Sequence, residues 1–137
     1  MKKRQTILSL AVLCLLIGVA YGLYLYNKPH ANAGGKSTEA SLSADSLYKA
    51  YSNDEPAANK NFLNKILEVK GVVQDITMSN RRPVLLLNTG QPGSINCQMA
   101  MDSADVFSVL HKASQVTVKG KCSGYLMDVN LVDCVIK

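Results

Sequence analysis

The sequence predicts a mainly β domain, a five-stranded OB-fold barrel with N-terminal helices and one further helix between its third and fourth strands, preceded by one transmembrane helix. Three observations predict it: an uncharged apolar run near the N-terminus, a change to period-two alternation at Ile66, and a predicted order of three strands, one helix and two strands. That order is the connectivity of a partly open Greek-key barrel. An open α+β sandwich built from the same elements is the alternative.

The apolar run is Ile7 to Tyr26, twenty residues without a charge or a proline, and Lys2, Lys3 and Arg4 precede it. At 1.5 Å per residue it spans about 30 Å, the thickness of the hydrocarbon core of a bilayer. Basic residues before a first membrane helix stay in the cytoplasm. We therefore predict that residues 1–26 form a cytoplasmic tip and a single-pass anchor in the inner membrane, with the domain periplasmic or extracellular.

A cleaved signal peptide, which would release a secreted OB-fold protein, is the main alternative. Ala20-Tyr21-Gly22 and Ala31-Asn32-Ala33 both carry small residues where a signal peptidase requires them. The apolar run exceeds the 7–15 residues usual for such a signal, which favours the anchor. Cys14 is a poor lipidation site because Leu13 precedes it where a small residue is expected.

Gly18 and Gly22 form a G-x-x-x-G pattern on one face of the predicted anchor. Small residues at this spacing let two membrane helices approach closely, so a homodimer through these glycines is one interpretation. Small residues are also common in any membrane helix, and that interpretation needs no partner.

The formal charge of +5 lies outside the predicted domain. All ten acidic residues lie from Glu39 onward, together with ten of the fifteen basic residues, so the chain from Ser37 to the C-terminus has no net charge. The other basic residues are in the anchor flanks and the linker: Lys2, Lys3, Arg4, Lys28 and Lys36. A basic domain would suggest nucleic-acid binding, and this neutral one does not.

Residues 27–41 lack apolar periodicity and predict a flexible linker, and residues 42–137 the OB-fold domain. Ser43 is a predicted N-cap for one short helix, and Asp54 for a second with Pro56 in its first turn. The predicted strands are Ile66–Ile76 with a bulge or bend at Gly71, Val84–Thr89, Ile95–Met101, Val116–Lys121 and Met127–Ile136. The predicted helix between the third and fourth strands opens at Asp102.

Three segments carry a family resemblance: SLYKAYSNDEPAANKNFLNKILEVKGVV (Ser46 to Val73), INCQM (Ile95 to Met99) and VTVKGKCSGYLMDVNLVDCVI (Val116 to Ile136). Together they resemble the bacterial tRNA_anti-like OB-fold family. Asn27-Lys28-Pro29-His30 is similar to the sequence that follows the membrane helix in anchored members. The resemblance covers nearly the whole chain from Leu42 and implies an OB-fold. It implies no activity, because the family's members are largely uncharacterised.

Cys97, Cys122 and Cys134 lie in the predicted domain. In an oxidising compartment a Cys122–Cys134 disulfide is the preferred pairing, since it would join the last two strands and close a short loop worth about 3 kcal/mol. Three buried, unpaired thiols are the alternative. Zinc and redox-active thiols are disfavoured because the domain has no C-x-x-C and His111 is its only histidine.

No nucleophile or metal with a base in reach can be identified, so we predict neither an enzyme nor a cofactor. The OB-fold binds ligands on strands two and three and on two hairpin loops. On this chain that surface would include Arg81, Arg82, Asn96, Gln98 and Tyr125. We predict a binding or envelope-assembly module whose partner is a protein or a small envelope ligand. Single-stranded nucleic acid is the weaker alternative, because the predicted strands carry no aromatic residues for base stacking.

Overall fold

The computed structural model describes residues 2–27, 33–100, 108 and 110–137, with side chains in the first helix described from Val12 to Tyr24. The elements, in chain order, are α1 (Lys2–Asn27), a short 3-10 turn (Ala33–Gly35), β1 (Ala40–Ser43), α2 (Ala44–Asn53), α3 (Glu55–Phe62), β2 (Ile66–Ser79), β3 (Arg82–Asn88), β4 (Ser94–Met99), β5 (Gln115–Tyr125) and β6 (Val129–Ile136). The chain forms two units, 1–30 and 31–137, and each is described by itself.

The first unit contains α1, which is helical across the predicted anchor. Its nine large apolar side chains between Val12 and Tyr24 are each 53% to 68% exposed. Within the described residues, no helix is both long and apolar enough to cross a membrane. The predicted anchor, Ile7 to Tyr26, extends at both ends beyond the side chains that the structure describes.

The described part of the predicted linker, from residue 33 onward, contacts the barrel; residues 28–32 lie outside the described chain. Ala33 is buried, and the Lys119 ammonium donates hydrogen bonds to the Gly34 carbonyl at 3.4 Å and to the Lys36 carbonyl. Further on, β1 pairs in parallel with β2. The linker's backbone groups therefore bond to the barrel, and a short polar segment shows no periodicity that would reveal this.

Both predicted helix caps are confirmed. The Ser43 hydroxyl accepts the Ser46 amide at 3.1 Å at the start of α2, and the Asp54 carboxylate accepts the Ala57 amide at 3.0 Å at the start of α3. Each cap satisfies one of the amides that a helix leaves unpaired in its first turn. Asp54 is also the C-cap of α2, so one residue ends the first helix and begins the second.

The second unit is a closed five-stranded barrel, as the sequence predicts for an OB-fold. The strands follow one another in the order β2-β3-β4-β6-β5, and β5 pairs back onto β2. The first half of β2 pairs with β5, and the second half pairs with β3. The bulge lies between Val73 and Asp75, not at Gly71. Gly71 instead lets α2 approach, since a Cβ there would lie 3.1 Å from the Cβ of Ala44.

Alternate residues of every barrel strand point into one apolar core, which α2 covers with Leu47, Tyr48 and Tyr51. Fully buried core positions contributed by the strands include Leu67, Val69, Leu85, Leu87, Ile95, Met99, Val118 and Leu131. The remaining residues of each strand point outward, where they can contact a ligand. The predicted helix opening at Asp102 falls mostly on residues 101–107 and 109, which lie outside the described residues.

We expect Gly120→Ala to destabilise the barrel by about 1–3 kcal/mol, because the new methyl group overpacks a filled core. A Cβ at this position would lie 2.4 Å from the Cys134 Sγ. Urea unfolding measures the change. Gly35→Ala is the matched control, since a Cβ there meets nothing within 4 Å.

The double variant Gly120→Ala/Cys134→Ala removes the colliding sulfur and should recover part of the loss as a positive coupling between the two sites. Strictly additive effects would show that Cys134 is not what limits the space at Gly120.

Candidate binding surface

A groove of about 450 Å³ lies on the outer face of the barrel, over β3, β4 and β6 and the end of β2. Its polar lining consists of amides and hydroxyls: Thr77, Ser79, Asn96, Gln98, Ser123 and Asn130. Its apolar lining consists of Val84, Leu86, Leu131 and Val132. The size is within the range of ordinary ligand pockets, about 300–1,000 Å³. Two of the predicted site residues, Asn96 and Gln98, therefore line one groove.

The strand register explains this lining. Val84 pairs with Gln98, Leu86 pairs with Asn96, and Asn96 pairs in turn with Asn130 across the parallel β4–β6 seam. Paired residues on neighbouring strands point to the same face, so each amide stands beside an apolar side chain or another amide. The Asn130 amide group also donates to the Asp128 carbonyl at 3.3 Å. Among the described residues, the groove lining contains no charged and no aromatic side chain.

The two arginines of the predicted site lie at the β2–β3 hairpin and differ in burial and in contacts. Arg82 begins β3, two residues from Val84, and its guanidinium lies 3.9 Å from the Asp133 carboxylate of β6. Both side chains are about three-quarters buried, with exposed fractions of 26% and 28%. Arg81 lies in the turn with a positive φ of 63° and is exposed. Arg82 therefore ties two strands beside the groove, and Arg81 lies at the hairpin tip.

The fifth predicted residue, Tyr125, belongs to a different site. It is the last residue of β5, not part of the turn as predicted. Its ring stacks on Tyr51 of α2 with centroids 5.6 Å apart and meets Tyr48 edge-on at 5.9 Å. A second cavity of about 370 Å³ opens beside these rings, walled by the β3–β4 loop and the β5–β6 hairpin. We call it the tyrosine cavity; it is lined by Tyr48, Pro92, Gly93, Tyr125, Leu126, Met127 and Asp128.

The predicted Cys122–Cys134 disulfide is not formed in this structure, where Cys97, Cys122 and Cys134 are buried free thiols. The register places Cys122 opposite Leu131, three residues before Cys134 on β6. The Cys122 thiol shares a 3.2 Å hydrogen bond with the Tyr51 hydroxyl instead. Burial first, and then the neighbouring Cys97, raises the pKa of the Cys134 thiol well above its usual range.

Sequence reasoning missed Asn130 and Tyr48. Asn130 alternates with inward residues of the last strand, and Tyr48 follows helical spacing in α2, so both signals are present in the sequence. What was missing was the pairing of β4 with β6 and the position of α2 over the barrel.

Tyr51 should make the barrel sensitive to alkaline pH. Burial, and next the bond to Cys122, raise the pKa of the Tyr51 hydroxyl above its ordinary value. An unfolded tyrosine ionises near pH 10, so the stability due to neutral Tyr51 is complete below pH 10 and is lost above it.

We therefore expect the unfolding free energy to fall above pH 10 more steeply for the wild type than for Tyr51→Phe, by up to about 1.4 kcal/mol per pH unit. Urea unfolding of both proteins from pH 8 to 11 measures the difference. Parallel curves would mean that Tyr51 ionises as easily in the folded barrel as in the unfolded chain.

Comparison with known proteins identifies the family of this chain. The tRNA_anti-like family model matches residues 1–136. A solved structure from Klebsiella pneumoniae subsp. pneumoniae MGH 78578, a presumed nucleic acid-binding lipoprotein, is similar with a TM-score of 0.58 and 17% identity, covering 70% of this chain and 90% of that one. At this identity the likeness shows the fold.

Two further structures are more distant. The S. pombe Stn1–Ten1 complex has a TM-score of 0.42 and 13% identity, covering 53% of this chain and 57% of that one. The asparaginyl-tRNA synthetase of Entamoeba histolytica has a TM-score of 0.44 and 12% identity, covering 61% of this chain and 22% of that one. No curated protein matches the chain significantly in sequence.

Proposed function

This chain belongs to the tRNA_anti-like family, and from that premise we propose that its barrel is a binding module whose groove holds an extended, uncharged peptide segment of a protein partner. The observation that supports this most is the lining itself, in which amide side chains stand beside an apolar floor. The proposal concerns binding without chemistry, since no described residue of the groove is a nucleophile paired with a base.

A peptide fits this lining because a side-chain amide carries both a donor and an acceptor, as does every peptide group. Asn96, Gln98 and Asn130 can therefore pair with the backbone of an extended segment. Alternate side chains of an extended segment point to one side, and the apolar patch at Val84 and Leu86 can receive them. This is recognition of a strand by main-chain bonding and shallow side-chain pockets.

Single-stranded nucleic acid is the second candidate, favoured by the fold and by the name of the Klebsiella lipoprotein. Binding of that kind combines a basic groove with rings for base stacking. The groove lining supplies neither, and the guanidinium of Arg82 is already beside a carboxylate. The lining therefore supports a peptide better than a polynucleotide.

A photo-crosslinking amino acid at Gln98 should give a protein adduct in cells, because that side chain lies in the groove. The same group at Lys60, exposed on α3, is the control and should give none. The added double substitution Asn96→Ala/Asn130→Ala should weaken binding, and with it the adduct yield, about thirtyfold, since two lost hydrogen bonds at about 1 kcal/mol each amount to about 2 kcal/mol.

A nuclease-sensitive adduct at Gln98 would instead support the nucleic-acid candidate. Equal adduct yields at Gln98 and Lys60 would show that the groove is not the binding surface.

We further propose that α1 holds the barrel at the inner membrane as a single-pass anchor, with the barrel periplasmic or extracellular. Support comes from the nine large apolar side chains between Val12 and Tyr24, each more than half exposed on this helix. Large exposed apolar patches of this kind mark surfaces that are buried against a membrane or a partner protein. The basic residues Lys2, Lys3 and Arg4 favour a cytoplasmic N-terminus. A dimer through Gly18 and Gly22 would add a second copy to this anchor.

In a Cys14→Ser background, a membrane-impermeant maleimide should label Lys60→Cys on intact spheroplasts, and Lys3→Cys only after permeabilisation. The maleimide should not react with the native barrel thiols, because Cys97, Cys122 and Cys134 are buried. The protein should also stay with the membrane through alkaline carbonate extraction. Release by carbonate, with an N-terminus found after residue 22 or 33, would show a cleaved signal; labelling of Lys3→Cys alone would reverse the orientation.

A further inference from the structure

The tyrosine cavity has a chemistry different from that of the groove. Aromatic and apolar side chains wall it, and one carboxylate, that of Asp128, lies among them. Two of its walls, Leu126 and Met127, are 88% and 78% exposed at the tip of the β5–β6 hairpin. An apolar pocket that contains an anionic side chain suits a ligand that has both apolar groups and a positive charge.

The rings are fixed in place by the fold. Tyr125 is held between Tyr51 and Tyr48, the latter two being buried residues of α2. On the opposite wall, Gly93 lies so close that a Cβ there would be 2.4 Å from the Tyr48 ring and 2.6 Å from the Met127 carbonyl oxygen. The aromatic wall of the cavity is therefore preorganised, and a ligand would not have to order these rings.

The Asp128 carboxylate is fixed in the same way. One of its oxygens accepts the Ser94 amide at 2.6 Å and the Ser94 hydroxyl at 2.9 Å. Both contacts are from neutral groups, so the negative charge is not cancelled by them. After the larger effects of the Tyr48 hydrogen bond and of burial, the charges of Glu55 and Asp128 each raise the pKa of the Tyr125 hydroxyl.

We propose that the tyrosine cavity binds an alkylammonium cation, with the methyl groups against Met127 and the tyrosine rings and the charge balanced by Asp128. Ring faces attract such cations by about 0.5–2 kcal/mol or more, and most strongly when water is excluded. A quaternary ammonium suits the walls better than a primary one, because it carries no donors that need partners. The cation can belong to a methylated lysine of a protein or to a choline headgroup.

The test uses the full chain in a maltoside detergent and measures binding calorimetrically. The probes are choline and 3,3-dimethyl-1-butanol, its neutral isostere. Choline should bind at least about tenfold more tightly, since the two differ only in charge. Equal affinities, or no choline binding, would overturn the proposal.

Three variants locate the site. Tyr125→Leu, which removes the ring, should weaken choline binding about tenfold, while Tyr125→Phe, which keeps it, should stay within about threefold. Asn96→Ala in the groove should leave the choline affinity unchanged although we expect it to weaken peptide binding, so failure here is distinct from failure of the peptide proposal. Choline binding that survives Tyr125→Leu would place the site elsewhere.

Phosphocholine and N-acetyl-trimethyl-lysine then distinguish the two sources of the cation. Whichever binds more tightly identifies a headgroup or a protein side chain, and either result retains the alkylammonium site. Failure of both to compete with bound choline would argue against a biological ligand of this class.

Discussion

The double pairing of β2 is the constraint on which the rest of the molecule depends. The strand runs from Ile66 to Ser79, and it pairs with β5 along its first half and with β3 along its second. For the sheet to close into a barrel, β2 must bend between its two partners, and the bulge between Val73 and Asp75 lies where the pairing with β3 begins. Once β2 is curved, the pairing of β5 back onto β2 closes the five strands into a ring around the core.

Closure also decides where the polar residues of the strands go. The interior holds apolar side chains, two tyrosines and the thiols of Cys97, Cys122 and Cys134, and the amides of β4 and β6 lie on the outer face. Because β4 and β6 pair in parallel, these outward amides form a row and are not scattered. The polar character of the groove is therefore a consequence of barrel closure and register together.

Local features could be predicted from the sequence, and long-range pairings could not. The caps at Ser43 and Asp54 depend on residues within one helical turn. The strands can be predicted because apolar and polar residues alternate along them. β1 has only four residues and is a strand because it pairs with β2, so no pattern in its own sequence predicts it. The positions of Asn130 beside Asn96, of Tyr125 on Tyr51, and of Cys122 away from Cys134 all depend on which strand or helix lies next to which.

The groove and the tyrosine cavity are separate in chemistry but joined in structure through Asp128. Its carboxylate holds Ser94, the first residue of β4, and its carbonyl accepts the Asn130 amide in the groove. The same residue lines the tyrosine cavity. Displacement of its carboxylate would loosen the start of the strand that presents Asn96 and Gln98. A ligand that displaced this carboxylate from Ser94 would therefore act on both sites, whereas one that binds without moving it would leave the groove unchanged.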